Sequence, residues 1–468
     1  MTELLLRNGK VATPFGIVDA DLLVQDGKIT AVSRSSLLHA EHTLDVAGKY
    51  VLPGVIDPHT ELGFDGEPST LAEALRSETP SMVTGGVTSF ITHFRGQVPY
   101  GGLLRGVLDA IEGNSMANVG VRPLIKLPEH VEEIPMMVHE FGITDFKFYP
   151  GPHTELFRGA WGVDDGLVYK GFGAIAAFGY PGVAVAHCEN WILIAAITKS
   201  LITKGRSGQV AWSDARPNVA EEDMIARMIL YAKHTRCPLY ILHVTTAEGV
   251  GAIAAARREG YDVIGETLPV FLAYSKFDQL DPVGKHFPPL RSPEDVSAMW
   301  RALNEGVISA IGSDHAPGRW KAKLPSADNI WVGGGTSDAG AGVILPVMLT
   351  EGVSKGRTTL ERLVEVCSLN PAKAFGLYPA KGALLPGSDA DLVVVDPRRE
   401  VLLKPEALHL STDYSRFEGM RCRGWPVMTV VGGEIVAEEG NLVGRPGLGG
   451  YLRRTVNGSA GPGVPRCH

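Results

Sequence analysis

The sequence predicts an α/β fold: a TIM-like (β/α)8 barrel inserted into a small β domain built from both chain ends. Two patterns carry this. Eight short, near-continuous apolar runs recur between helical stretches, as parallel strands buried on both faces do. Short β segments bounded by turn pairs cluster at the two ends of the chain. A third observation agrees. Glycine is 56 of 468 residues and proline 31, and much of the glycine falls in turns and in loops after the apolar runs, the distribution of tight loops on a rigid scaffold.

Taken in order, residues 4–6, 16–24, 28–32 and 50–51 read as strands, with Asn8-Gly9 and Asp26-Gly27 as the turn pairs between them. Residues 391–396 and 427–436 read the same way. The barrel runs are 52–56, 88–92, 119–125, 145–148, 183–186, 239–242, 262–265 and 307–311, with helices such as 71–83, 221–234 and 250–259 between them. The expected boundaries are therefore 1–51 plus 380–445 for a β-sandwich domain, 52–379 for the barrel and 446–468 for a C-terminal arm.

Composition removes several function classes. Hydrophobic residues are 44% and charged residues 21%, which excludes disordered and fibrous chains. A net charge of -8 and an isoelectric point of about 6.0 argue against a nucleic-acid or membrane-surface partner. The start of the chain lacks the apolar run of a signal peptide, and no run is long enough to cross a bilayer. The five cysteines are scattered without CxxC spacing, as expected of reduced thiols in a cytoplasmic protein.

Barrels of this kind place chemistry at the C-terminal ends of their strands. Strand one runs into Asp57-Pro58-His59-Thr60-Glu61. Alternate residues of a strand share a face, so His59 and Glu61 can serve one metal together. Strand four carries Lys147 inside an apolar run, strand five ends in His187-Cys188-Glu189, strand six in His243, and strand eight in Ser313-Asp314-His315. Each has an ordinary alternative: a core histidine, a snorkelling lysine, an N-capping aspartate. Together, three histidines, a lysine and two carboxylates at strand ends form a metal-ligand set. His93, closing strand two, is either a replacement ligand or a pocket histidine. Arg95 beyond it either meets an anionic substrate or is solvated at the surface.

The motifs are more specific. Leu52-Pro53-Gly54-Val55-Ile56-Asp57-Pro58-His59, Ala186-His187-Cys188-Glu189-Asn190, and Leu239-Tyr240-Ile241-Leu242-His243-Val244-Thr245-Thr246-Ala247-Glu248 are followed by Pro288-Pro289-Leu290-Arg291 and Gly312-Ser313-Asp314-His315-Ala316-Pro317. Asn370-Pro371-Ala372-Lys373-Ala374-Phe375-Gly376-Leu377 and Gly387-Ser388-Asp389-Ala390-Asp391-Leu392-Val393 complete the series. In this order, over nearly the whole chain, they resemble the cyclic amidohydrolases of the amidohydrolase superfamily, most of all the dihydropyrimidinase/hydantoinase branch.

The resemblance implies a barrel of the amidohydrolase type and a hydrolase that opens a cyclic amide, imide or ureide C–N bond by attack of a metal-bound hydroxide. It implies two divalent ions, Zn or Mn, bridged by that hydroxide and by Lys147 as a CO2-derived carbamate (N6-carboxylysine). His59, Lys147 and Asp314 would hold one ion, and Lys147, His187 and His243 the other. Asp314 would take the water's proton and pass it to the leaving nitrogen. A small cyclic amide as substrate and a homo-oligomer, tetramer or dimer, come with the same resemblance.

The departures from the family pattern are local. Glu61 stands where the family has a second histidine. As an anionic, harder donor it would favour Mn2+ over Zn2+, or leave one metal position weak. The family tyrosine five places after the lysine is Pro152 here, with Tyr149 and His153 as candidate substitutes. The serine before Pro-Pro-Leu-Arg is Phe287, the loop asparagine corresponds to Ala339, and the carboxylate-clamping arginine of dihydroorotase would be Gly63. Phe157, Trp161 and Phe172 form either a lid over the substrate side chain or a helix–barrel packing layer. Two other functions fit the same residues: another amide or lactam hydrolysis or a decarboxylation at the same metal site, and a non-catalytic oligomeric relative.

Overall fold

In a computed structural model, residues 3–34, 37–63, 66–151, 162–332 and 338–456 are described. The first five strands are β1 (Leu4–Thr13), β2 (Gly16–Gln25), β3 (Lys28–Ser33), β4 (His42–Asp45) and β5 (Tyr50–Pro53). Asp26 and Gly27 turn β2 into β3, both at positive φ (52° and 74°), as a two-residue hairpin turn of the primed type requires. The expected turn at Asn8-Gly9 is absent. These residues lie inside β1, where the pairing with β2 slips by one residue between Leu6 and Gly9. The physical reason is a β-bulge. Asn8 tolerates the left-handed backbone (φ 62°), and its amide donates to the Asp21 carboxylate at 2.9 Å. Apolar strand therefore continues on both sides.

Eight parallel-type strands follow: β6 (Val55–Thr60), β7 (Val87–Phe94), β8 (Asn118–Pro123), β9 (Asp145–Phe148), β10 (Val183–Ala186), β11 (Leu239–Ile241), β12 (Val263–Thr267) and β13 (Ile308–Ile311). Every residue of β6, β7 and β9 to β13 is buried, which is why they read as continuous apolar runs. They pair in the orders β6-β7-β8 and β13-β12-β11-β10-β9, and a parallel bridge joins Leu124 to Lys147. The run 52–56 is two strands rather than one. Pro53 ends β5 and Val55 starts β6, because the chain changes sheets at Gly54, where a Cβ would lie 2.1 Å from Thr88 Oγ1.

The remaining strands are β14 (Leu392–Leu402), β15 (Arg421–Val431), β16 (Glu434–Glu438) and β17 (Asn441–Leu442). The run 427–436 is likewise divided, by Gly432 and Gly433 at positive φ. Both chain ends share one nine-stranded sheet, β17-β16-β15-β14-β5-β1-β2-β3 with β4 on β1. Its core holds Leu4, Leu6, Val24, Ile29, Val394 and Val430. The expected helices are found as Pro68–Thr84, Asn218–Thr235 and Ala247–Arg258. Among the described residues no helix is long and apolar enough to cross a membrane.

The chain divides into two compact units: 1–92, 106–120 and 339–452, and 93–105, 121–338 and 453–468. The first contains the nine-stranded sheet and β6. The second contains β9 to β13 and the last residues of β7 and β8. Within the second unit, Asp145 at the start of β9 is buried between two arginines, Arg122 and Arg454, whose side chains are 0% exposed. Arg454 arrives on the C-terminal segment, its amide bonded to Gly142 O at 3.0 Å. Most of the stretch 455–468 lies outside the described residues.

Replacing Asp145→Ala leaves both guanidinium groups buried without their carboxylate. Removing one partner of a buried ion pair costs about 3–5 kcal/mol. Thermal and urea unfolding should show a loss of that size, with a smaller one for Arg454→Met, which leaves the Asp145–Arg122 pair intact.

Candidate metal centre

The apolar run of β6 ends in polar residues that remain buried: Asp57 and His59 at 0% and Glu61 at 8% exposure. The His59 amide donates to Asp57 Oδ1 at 3.1 Å, and the Leu62 amide to Thr92 Oγ1 at 2.8 Å. Thr60 pairs with Thr92 across β6 and β7, so His93 is the next residue along the neighbouring strand. One potential ligand atom from each of His59, Glu61 and His93 lies within 4.8 Å of the others, and all three residues are buried. Imidazole and carboxylate in one dry cluster fit a divalent cation. His93 has a second constraint, since its Nε2 is 3.0 Å from Arg122 Nη1. A guanidinium only donates, so Nε2 accepts and the neutral ring carries its proton on Nδ1.

In the second unit, Lys147 is completely buried on β9, in register with Val185 of β10. Its Nζ lies 4.5 Å from the centre of the Tyr149 ring. Tyr149 packs against His187 at 5.1 Å between centroids, and His187 meets His243 edge-on at 4.6 Å. The ends of β9, β10 and β11 thus bring a lysine and two histidines together. His243 (φ 39°) and Asp314 (φ 53°) both take left-handed backbone, a strained conformation for residues with a Cβ. Each is held in it. The His243 amide donates to Glu266 Oε1 at 3.2 Å, and the turn after it is fixed by Glu221. That buried carboxylate accepts from the amides of Thr245 (2.8 Å) and Thr246 (3.1 Å), from both threonine hydroxyls, and from Arg291. Beside Asp314, His286 places Nε2 3.4 Å from Oδ2, and its Nδ1 donates to Pro288 O at 3.1 Å.

Behind His187 stands Glu189, with Oε2 2.9 Å from Nε2, and beyond it the buried Arg216. Burial lowers the Arg216 guanidinium to about 10, with Glu189 acting in the opposite direction, so it stays charged at neutral pH.

Other candidates are placed as follows. Phe287 is half-buried between Trp191 (5.9 Å) and Trp212 (5.1 Å). Phe172 packs edge-on against Phe148 at 5.3 Å, a helix–barrel contact. Ala339 is buried in the first unit. Arg95 is 5% exposed, which corrects its reading as a solvated arginine: the end of β7 carries it inward. His153, Phe157 and Trp161, with Pro152 and 333–337, lie outside the described residues.

Sequence reasoning gave no role to Glu189, Arg216, Glu221, Glu266, Arg122 or His286. Glu189 had a usable signal, two residues after a strand-end histidine like Glu61 after His59. The others reach the site from segments far away in sequence, with no local pattern to mark them.

A family model described as "Amidohydrolase family" matches residues 218–436. The L-hydantoinase of Paenarthrobacter aurescens is 35% identical over 463 residues, covering 97% of this chain and 98% of that protein. The D-hydantoinase of Geobacillus stearothermophilus is 32% identical over 469 residues, 97% of each. Among solved structures, the dihydropyrimidinase of Brevibacillus agri superposes with a TM-score of 0.89 at 27% identity, over 97% of this chain and 99% of that one. The L-hydantoinase from Arthrobacter aurescens gives 0.88 at 32% identity, over 97% and 100%. These likenesses bear out the expected barrel fold.

Glu61→His exchanges an anionic oxygen donor for a neutral nitrogen donor. The ratio of Zn2+ to Mn2+ affinity, measured by competition dialysis, should rise by about tenfold or more. An unchanged ratio excludes Glu61 from the coordination sphere.

Proposed function

The chain belongs to the amidohydrolase family, and we propose that it acts as the hydantoinase and dihydropyrimidinase branch does, adding water across a ring C–N bond of a cyclic ureide, imide or amide. The observation that carries this is the convergence of His187, His243 and a wholly buried Lys147 at neighbouring strand ends, in a chain 35% identical to an L-hydantoinase. Metal-dependent hydrolysis of cyclic amides is the reaction class. Hydantoins and dihydropyrimidines are the substrates the likeness favours, and the altered positions Phe287 and Ala339 bear on which ring substituents fit.

Divalent ions, when bound, polarise the ring carbonyl and make a coordinated water more acidic. His59 and Glu61 are the ligands we assign at the end of β6, with Lys147 on β9 and His187, His243 and Asp314 after β10, β11 and β13. As an amine, the wholly buried Lys147 would add to CO2 with release of a proton, and the resulting carbamate would supply two oxygen donors. Asp314 accepts the attacking water's proton and returns it to the ring nitrogen as the C–N bond breaks. Tyr149, packed against His187, is our candidate donor to the developing oxyanion. Residues 52–379 as the catalytic barrel, association into dimers or tetramers, and a cytoplasmic location accompany this proposal on family resemblance.

Protein purified after growth with Zn2+ and Mn2+ should contain bound metal and open one or more of hydantoin, dihydrouracil, allantoin, a cyclic imide or a lactam, followed by loss of ring absorbance. Metal-free protein, or a metal-loaded protein inert towards every ring, overturns the proposal. Lys147→Ala should bind at most one ion per chain and lose about 100-fold or more of kcat/KM. Full activity in that variant refutes the carbamate.

A further inference from the structure

Three side chains of the second unit stand in line behind one strand end. His187 Nε2 lies 2.9 Å from Glu189 Oε2. Glu189 Oε1 lies 3.6 Å from Arg216 Nε. Arg216 is held between two rings, its guanidinium carbon 3.6 Å from the centre of Trp212 and 4.6 Å from that of Phe287. Its carbonyl is also anchored, accepting from Arg291 Nη1. All three members of the line are buried, at 3%, 1% and 3% exposure.

An ionised carboxylate only accepts hydrogen bonds. The short contact therefore fixes the proton of a neutral His187 on Nε2 and leaves the lone pair on Nδ1. The opposite tautomer would set two lone pairs against each other at 2.9 Å in a dry site. A buried carboxylate needs compensation in turn. Arg216 supplies it at a separation too long for a hydrogen bond, and neither its Nε nor its Nη1 has a hydrogen-bond partner. Charge proximity rather than a direct bond is thus the link, and both rings hold the cation in place by cation–π contact.

We propose that Glu189 and Arg216 are positioning residues: Glu189 presents His187 through Nδ1 to a divalent cation, and Arg216, clamped by Trp212 and Phe287, holds Glu189 in place. The inference rests on the metal reading of the site. It links His187, through Glu189 and Arg216, to Phe287, the residue where this chain departs from the family serine.

The test is metal affinity, read without turnover, by titrating metal-free protein with Zn2+ and with Mn2+ against a chromophoric chelator. Glu189→Leu should weaken binding about 10- to 100-fold. Glu189→Gln, whose amide oxygen still accepts from Nε2–H, should lose less, and Arg216→Met should fall between Glu189→Gln and wild type, with Arg216→Lys partly restored. Melting of the metal-free proteins checks that each variant is folded. If Glu189→Leu does not fold, the wild type decides: in metal-free, 15N-histidine-labelled protein the signal lost in His187→Asn must be an Nε2–H tautomer, and an Nδ1–H signal overturns the proposal. Wild-type affinity in folded Glu189→Leu and Glu189→Gln also overturns it. A wild type that binds no metal defeats the proposed function, and this inference with it. A wild type that binds metal beside unaltered variants defeats this inference alone.

Discussion

A strand buried on both faces has no side from which a polar group can reach water, so each such group must be compensated by another buried group. That constraint governs β9. Within four residues this strand carries Asp145 and Lys147, both completely buried. Asp145 is met by Arg122 and Arg454. Lys147 projects beside Tyr149, next to the His187–His243 pair. The same rule extends outward to Glu189 and Arg216 behind His187, to Glu266 under His243, and to Glu221 beneath the turn that follows. The polar side chains of this barrel therefore form chains of mutual obligation, and the candidate ligands are their inner ends.

How much of this was legible depends on whether the cause was local. Strands β9 and β10 were read to their exact residues, because complete burial writes itself as an unbroken apolar run. His59 and Glu61 were legible as a pair because the two-residue period of a strand puts them on one face. Asn8-Gly9 misled for an equally local reason: the same dipeptide serves a hairpin turn or a bulge, and the length of apolar strand beyond it decides which. The break at Gly54 depended on Thr88, a residue of another strand. Glu221 and Arg216 were illegible altogether, since nothing near them in sequence announces that they meet Thr245 or Glu189.

Strain marks the site as surely as charge does. Few non-glycine residues take a positive φ, yet both His243 and Asp314 do. His243 comes two residues after the end of β11 and Asp314 three after the end of β13, in the turns that leave the barrel strands. The cost is met by the hydrogen bonds of Glu266 and Glu221 near His243. A site assembled this way is preorganised by its surroundings rather than by its ligands.

The partnership between Asp145 and Arg454 spans 309 residues. At a synthesis rate of about 5–20 residues per second, Arg454 leaves the peptidyl-transferase centre about 15–60 s after Asp145. Through that interval the nascent strand has Arg122 alone to neutralise it. A contact that closes the second unit over the start of β9 thus arrives late in synthesis, long after the strand itself has been made.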